Sequence, residues 1–245
     1  MDVTAGSGTI AENLARVEAR IEAACRRAGR RRDEVTLVAV SKTHTPAEIL
    51  DAYRCGVRHL GENRVEEAEE KVPALRDEWP GEPPRWHFIG HVQSRKARRV
   101  VAVADIVHSV DSVRLAGRLD RYAAEAGRRL PVLVQMNVSG EASKGGFCAW
   151  DDAHRREMLA QIGALADLKH LEVRGLMTMA PIVPDPEDAR PVFRALAALR
   201  DMLRRELPYT SWDDLSMGMT DDFEVAIEEG ATLVRIGRAI FGPRL

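Results

Sequence analysis

The chain has 245 residues, long enough for one large α/β domain or two small ones. Its 36 Lys and Arg nearly balance 38 Asp and Glu, so no net field gathers nucleic acid or an anionic membrane. Cys25, Cys55 and Cys148 have no CxxC spacing and leave one thiol over, which points away from both a disulfide frame and a zinc site.

Residues 1–9 read as a flexible start with no basic or apolar signal segment. No stretch approaches the roughly 18 apolar residues of a membrane span, so a soluble, cytoplasmic protein is expected. Ile10, Leu14, Val17, Ile21 and Ala24 then recur at helical spacing, and Gly29 stops the helix. The arginines from Arg26 to Arg32 complement the dipole of that helix end. No aromatic residues interleave them, so they read as a helix terminus and not as a nucleic-acid patch.

Short apolar runs and helical segments alternate from there. The first strand is Val35–Val40, and Pro46 opens a helix to Cys55. Arg58–Leu60 is a short second strand, followed by a charged helix to about Leu75. Trp86–Ile89 is the third, with a helix from about Ser94 to Ala102. Ile106–Val110 is the fourth, and Asp111 or Ser112 caps a helix to Ala126. The fifth and longest, Leu130–Val138, leads through a glycine-bearing loop to a helix from about Asp151 to Leu165. Leu171–Met177 is the sixth, and the helix Glu187–Leu207 shows Val192, Leu196, Leu199 and Leu203 on one face. Leu215–Met217 and Leu233–Ile236 complete the series, with a helix between them from Thr220 or Asp221.

Strands that alternate with helices imply right-handed crossovers and a parallel sheet. Eight such units in roughly 210 residues fit a closed (β/α)8 barrel of TIM type. An open doubly wound sheet is the alternative, but neither G-x-G-x-x-G nor a Walker A sequence is present. The expectation is α/β: one barrel domain over residues 10–245, with an extra N-terminal helix.

The first strand ends in Ser41-Lys42. Alternation places Val38, Val40 and Lys42 on one side, so the amine sits over an apolar floor at the C-terminal end of a barrel strand. Desolvation there favours the neutral, nucleophilic amine. At the other end of the chain, Ser216-Met217-Gly218 and Gly237-Arg238 follow the last two strands, where barrels of this kind build phosphate sites. Barrel closure brings that anion site beside Lys42. A lysine next to a phosphate cradle suits a phosphorylated carbonyl compound held as a Schiff base. Arg235, inside an apolar strand, needs an anion or acceptor. Facing a pyridine nitrogen, it would keep that nitrogen unprotonated and weaken the ring as an electron sink. His87 and His91 do not make a convincing metal site, and His87 can line the pocket from the third strand. There is no HExxH, triad spacing or nucleophile elbow.

These segments resemble the pyridoxal phosphate homeostasis family, a relative of the alanine racemase N-terminal domain. The resemblance is carried by Val38-Ala39-Val40-Ser41-Lys42-Thr43, Gly61-Glu62-Asn63, Trp86-His87-Phe88-Ile89-Gly90, Gln93-Ser94 and Asn137-Val138-Ser139. It continues through Ser143-Lys144-Gly145-Gly146, Arg174-Gly175-Leu176-Met177, Leu215-Ser216-Met217-Gly218-Met219, Val234-Arg235-Ile236-Gly237 and Ala239-Ile240-Phe241-Gly242. It covers the chain from about Ile10 onward.

The resemblance implies a pyridoxal 5'-phosphate (PLP) barrel with the cofactor covalently on Lys42. It also implies a phosphate cradle of Ser216, Gly237 and Arg238, and Arg235 at the ring nitrogen. Asn63 and His87 complete the expected pocket. A glycine-flanked lysine at the rim can reach an aldehyde transiently, so Lys144 is expected to assist cofactor exchange. The family implies a carrier in vitamin B6 homeostasis with no catalytic residues and no metal. The expected state is a monomer, with PLP-dependent apoenzymes as recipients and neither nucleic acid nor membrane as partner. This chain departs from the family at Arg238, where Thr or Ser is usual, at Arg64 in place of tyrosine, and at Arg95 in place of asparagine.

The competing reading is an amino-acid racemase, which needs an acid–base group on each face of its substrate. The relatives bring a tyrosine on a C-terminal domain, which this chain, ending at Leu245, is expected to lack. Tyr53 and Tyr122 fall on helices, and Tyr209 precedes the seventh strand at the wrong end. An aldolase-type lyase on the same barrel would need a carboxylate or tyrosine beside Lys42, and none is evident.

Overall fold

The computed structural model describes residues 8–141 and 144–242. Most of the expected flexible start, together with Ser143 and Leu245, lies outside the described residues.

Eight parallel strands close into a barrel. They are β1 (Thr36–Val40), β2 (His59–Glu62), β3 (Arg85–Phe88), β4 (Ile106–Val110), β5 (Leu130–Asn137), β7 (Leu171–Met177), β8 (Asp214–Ser216) and β9 (Leu233–Ile236). They are ordered β1-β2-β3-β4-β5-β7-β8-β9, and β9 returns to β1. The expected (β/α)8 architecture is the one observed. A short strand the sequence did not suggest, β6 (Phe147–Cys148), pairs in parallel with the end of β5.

The helices start where local chemistry directs. Thr9 and Glu12 form a capping box at the head of α1 (Ile10–Arg27), and Thr45 with Glu48 does the same for α2 (Pro46–Arg54), with proline in the first turn. Ser112 caps α5 (Val113–Glu125). α1 buries Leu14, Val17, Ile21 and Ala24, one face at helical spacing, and packs on α8 (Phe223–Glu228) and α9 (Arg238–Phe241). Asn13 Nδ2 ties it to Ile240 O at 2.8 Å. The remaining α-helices are α3 (Val65–Ala74), α4 (Ala97–Val103), α6 (Asp152–Gly163) and α7 (Arg190–Glu206).

The large apolar core lies between the barrel and its helices. Inside the barrel a second, smaller layer of Val38, Leu133, Met177 and Leu233 fills the floor. Above and beside it the interior turns polar, with His87, His108, Ser216 and Arg235 all buried. Polar groups so deep must be hydrogen-bonded to one another, and they are.

Candidate functional site at the C-terminal mouth of the barrel

The parallel register pairs Val38 with Arg235 and Ala39 with Ile236. The segments leaving β1 and β9, Ser41-Lys42 and Gly237-Arg238, therefore run side by side at the C-terminal end. They approach so closely that a Cβ on Gly237 would lie 3.1 Å from Val40 O. Lys42 is half-buried above Val40 and Val38, which are buried.

The backbone around Lys42 is held by a buried network from below. Lys71, on α3, donates from Nζ to Ser41 O (2.8 Å), Glu62 Oε1 (2.9 Å) and Glu67 Oε2 (3.0 Å). Ser41 Oγ donates to Glu62 Oε1 at 2.7 Å. Thr43 takes a left-handed conformation, φ 67°, rare for a β-branched residue, and its N–H donates to Glu67 Oε2 at 2.7 Å. Burial pushes the Glu62 carboxyl up against the opposing pull of Lys71 and the Ser41 hydroxyl. The turn that presents Lys42 is thus fixed by two glutamates and a lysine from β2 and α3.

Across the mouth, Arg235 donates from Nη1 to Ser216 Oγ at 2.5 Å and from Nη2 to Thr178 O at 2.9 Å. Burial lowers its pKa to about 10, with Asp222 pulling the other way. At neutral pH it is still a cation. Asp222, itself pushed up by burial, accepts from Met219 N at 2.6 Å and closes the loop after β8. Ser216 is fully buried and also bonds His108 Nδ1 at 2.8 Å.

The other expected residues occupy distinct positions. Asn63 is half-buried in the turn after β2, and its Oδ1 is buried with no hydrogen-bond partner among the described residues. His87 lies beneath the mouth, bonded to His59 and His108, and reaches Ser216 only through His108. Lys144 is at the rim, where its Nζ donates to Ala180 O at 3.2 Å and so links the loops after β5 and β7. The Arg238 side chain turns outward into a bidentate pair with Asp221, at 2.8 and 2.7 Å.

Sequence reasoning missed several contributors. Asn137, at the end of β5, ties the following loop by donating to Glu141 O and Lys144 O. Thr178 supplies the carbonyl under Arg235, and Lys71 anchors the Lys42 turn. His59 and His108 carried a visible signal: one histidine in each of three consecutive strands. Among the described residues, no group of three or more His, Cys, Asp or Glu is arranged to hold a metal.

The family model for the alanine racemase N-terminal domain matches residues 13–244. A pyridoxal phosphate homeostasis protein of Aquifex aeolicus is 42% identical over 95% of this chain and 97% of its own length. Its counterpart in Pseudomonas aeruginosa is 45% identical over 96% of both chains. The chain belongs to the pyridoxal phosphate homeostasis protein family. Among solved structures, PipY of Synechococcus elongatus, determined with PLP bound, superposes with a TM-score of 0.81. It is 36% identical over 96% of this chain and all of its own. Alanine racemase of Clostridium difficile shares the fold at 14% identity and a TM-score of 0.66, with 57% of its chain matched. Members of the homeostasis family thus span the same length as this barrel, whereas the racemase is larger. Among the described residues, no helix is long and apolar enough to cross a membrane.

Proposed function

We propose that this chain binds PLP at the C-terminal mouth, with Lys42 as its Schiff-base lysine, and serves in cytoplasmic PLP homeostasis as a holder and not as a catalyst. The observation that carries this reading is the buried Arg235–Ser216 pair, with Arg235 on β9 beside β1 and Ser216 on β8 next to it, in a chain whose relatives are named for PLP homeostasis. When bound, PLP supplies an aldehyde that condenses with a lysine amine, releasing water.

The residues present fit that group. Ser216 and the backbone at Gly237 and Arg238 form a cradle for a phosphate, drawn close to β1 because Gly237 has no Cβ to crowd Val40. Arg235 remains a cation at neutral pH and therefore donates to a ring nitrogen without protonating it. The orphaned Asn63 Oδ1 is a polar atom in need of a partner in the turn next to the Lys42 network. Lys144, on the rim loop, is placed for transient contact during exchange, and PLP-dependent apoenzymes are the recipients.

The tyrosines support a holder. Tyr53 OH donates to Glu82 O in the loop before β3, and Tyr209 OH donates to Ile162 O, its phenol pushed well up by burial. Tyr122 lies on the outer helix α5 against Arg98 and Arg121. None stands at the mouth as the second base that two-base racemisation needs.

Titration with PLP tests the reading. A visible imine band is expected in the parent and is lost in Lys42→Ala. Incubation with L-alanine is expected to leave the enantiomer unchanged. Racemisation above the rate of free PLP would overturn the holder assignment.

A further inference from the structure

A continuous file of hydrogen bonds crosses the barrel interior. His59 Nδ1 meets His87 Nε2 at 2.9 Å, His87 Nδ1 meets His108 Nε2 at 2.8 Å, and His108 Nδ1 meets Ser216 Oγ at 2.8 Å. The file begins at the opposite end of the barrel from Lys42. There His59 is half-buried and lines a cleft of about 570 Å³ beneath α1, with Glu18, Arg32, Thr36 and Arg58. It ends on the hydroxyl that Arg235 also touches. We propose that His59, His87 and His108 form a tautomer relay that couples the orientation of the Ser216 hydroxyl to this basal cleft. The inference rests on the reading that a phosphate binds at Ser216.

Charge excludes a chain of imidazolium rings. Burial lowers the pKa of all three histidines, most strongly for His87 and His108. Arg85 and Arg174 add to this near His59 and His87, and Arg235 does so near His108. Each ring is neutral and carries one proton, so each has one donor and one acceptor nitrogen. Every link joins Nδ1 of one ring to Nε2 of the next, and this leaves two self-consistent registers.

In the first register Ser216 donates to His108 Nδ1, and the ring protons sit on Nε2 throughout, ending at His59 beside the cleft. Every buried polar atom of the file is then satisfied inside the protein, with Ser216 Oγ accepting from Arg235. A phosphate at the mouth is a stronger, anionic acceptor for the Ser216 hydrogen. When the Ser216 hydroxyl donates outward to that acceptor, its oxygen no longer donates to His108 Nδ1, which must itself become a donor. The second register follows, with protons on Nδ1 in all three rings.

The shift balances. Ser216 passes its proton to His108 Nδ1 and takes one from the singly protonated phosphate monoester, whose dianion then accepts from the new Ser216 hydroxyl. His108 Nε2 passes its proton to His87 Nδ1, and His87 Nε2 passes its own to His59 Nδ1. His59 Nε2 then releases one proton to the cleft. One proton enters at the mouth, one leaves at the base, and no ring becomes charged. Residues on β2, β3 and β4 that never touch the ligand thereby act as positioning residues for its phosphate contact.

Full-length protein labelled with ¹⁵N-histidine tests the relay by long-range ¹H–¹⁵N spectra at pH 7, without and with saturating PLP, binding being verified in the same sample by absorbance. Neutral Nε2–H tautomers are expected at all three sites without ligand, and Nδ1–H tautomers with it. A charged ring, mixed tautomers, or no change on verified binding overturns the relay and leaves the functional reading intact. If PLP does not bind, the functional reading falls. Inorganic phosphate then serves as the probe, and absence of a tautomer shift at saturating phosphate sinks the relay as well.

Affinity provides a second readout. His59→Phe removes the outlet while remaining far from the mouth, and PLP affinity is expected to fall about five- to tenfold, in line with one unmade hydrogen bond. His59→Gln, whose amide can donate or accept, is expected to stay within about twofold of the parent. Equal affinities for the Phe variant and the parent, with matching urea midpoints, contradict the coupling.

Discussion

Lys71→Met isolates the network that holds Lys42. Lys71 and Glu62 side chains are 9% and 2% exposed, and the Lys71 amine makes three hydrogen bonds, two of them to carboxylates. Methionine fills the space but leaves Glu62 with one hydroxyl donor on Oε1 and none on Oε2. Breaking one side of such a buried pair costs about 3–5 kcal/mol, mostly because a charge stays behind without compensation. Urea unfolding at pH 7.5 is expected to show that loss, accompanied by weaker PLP binding as the Ser41-Lys42-Thr43 turn loosens.

The pH dependence gives the prediction a sign. The folded-state pKa of Glu62 already lies above its ordinary value of 4.5, and removing Lys71, which pulls it down, raises it further. Between the unfolded and folded values the native state binds the extra proton, so stability falls as pH rises and recovers as pH drops. Over the interval between the parent's Glu62 pKa and the variant's, the deficit shrinks by up to about 1.4 kcal/mol per pH unit lowered. Glu62→Gln/Lys71→Met, which carries no buried charge, is expected to be more stable than Lys71→Met alone. A deficit below about 1 kcal/mol that does not vary with pH would refute this reasoning.

Three further variants probe the mouth. Thr43 sits at φ 67°, so Thr43→Gly is expected to leave stability unchanged or raise it by up to about 1 kcal/mol; a clear loss on urea unfolding would contradict the strain. Gly146 has φ 117°, and a Cβ there would lie 2.5 Å from Gln135 O. Gly146→Ala is therefore expected to cost about 1–3 kcal/mol and to expose the β5–β6 loop to protease; unaltered cleavage would argue against the docking of β6. The Arg238 guanidinium is engaged by Asp221 at the surface, so Arg238→Thr is expected to keep PLP affinity within about threefold. A tenfold change in absorbance titration would show that the cation reaches the phosphate.

The barrel was legible because its signals are local. The strands Ile106–Val110, Leu171–Met177 and Leu233–Ile236 have the expected bounds, since buried parallel strands read as short apolar runs between turn residues. The second strand lies at His59–Glu62, further along than expected. Gly61-Glu62 looks like a turn, yet Gly61 fits against Val38 inside the barrel and the Glu62 charge is met by Lys71 from α3. No periodicity reveals a partner that tertiary packing supplies. In α7 the buried face runs through Phe193, with Val192 only partly covered, after a 3-10 turn at Pro186–Ala189. β6 was invisible because two residues form a strand only when the Asn137-tethered loop brings them to β5. Lys42 and Ser216 stood out as polar residues at the ends of apolar strands, and Arg235 as a cation inside one. Of the histidine file only His87 was singled out, because the one-per-strand spacing of His59, His87 and His108 gains meaning only when the closed barrel aligns them.

The most direct test of the central claim is borohydride reduction of PLP-loaded protein followed by peptide mapping by mass spectrometry. The account predicts one reduced pyridoxyl adduct, located on Lys42 and missing from Lys42→Ala. An adduct principally on Lys144 or another lysine, or none at saturating PLP, would contradict it.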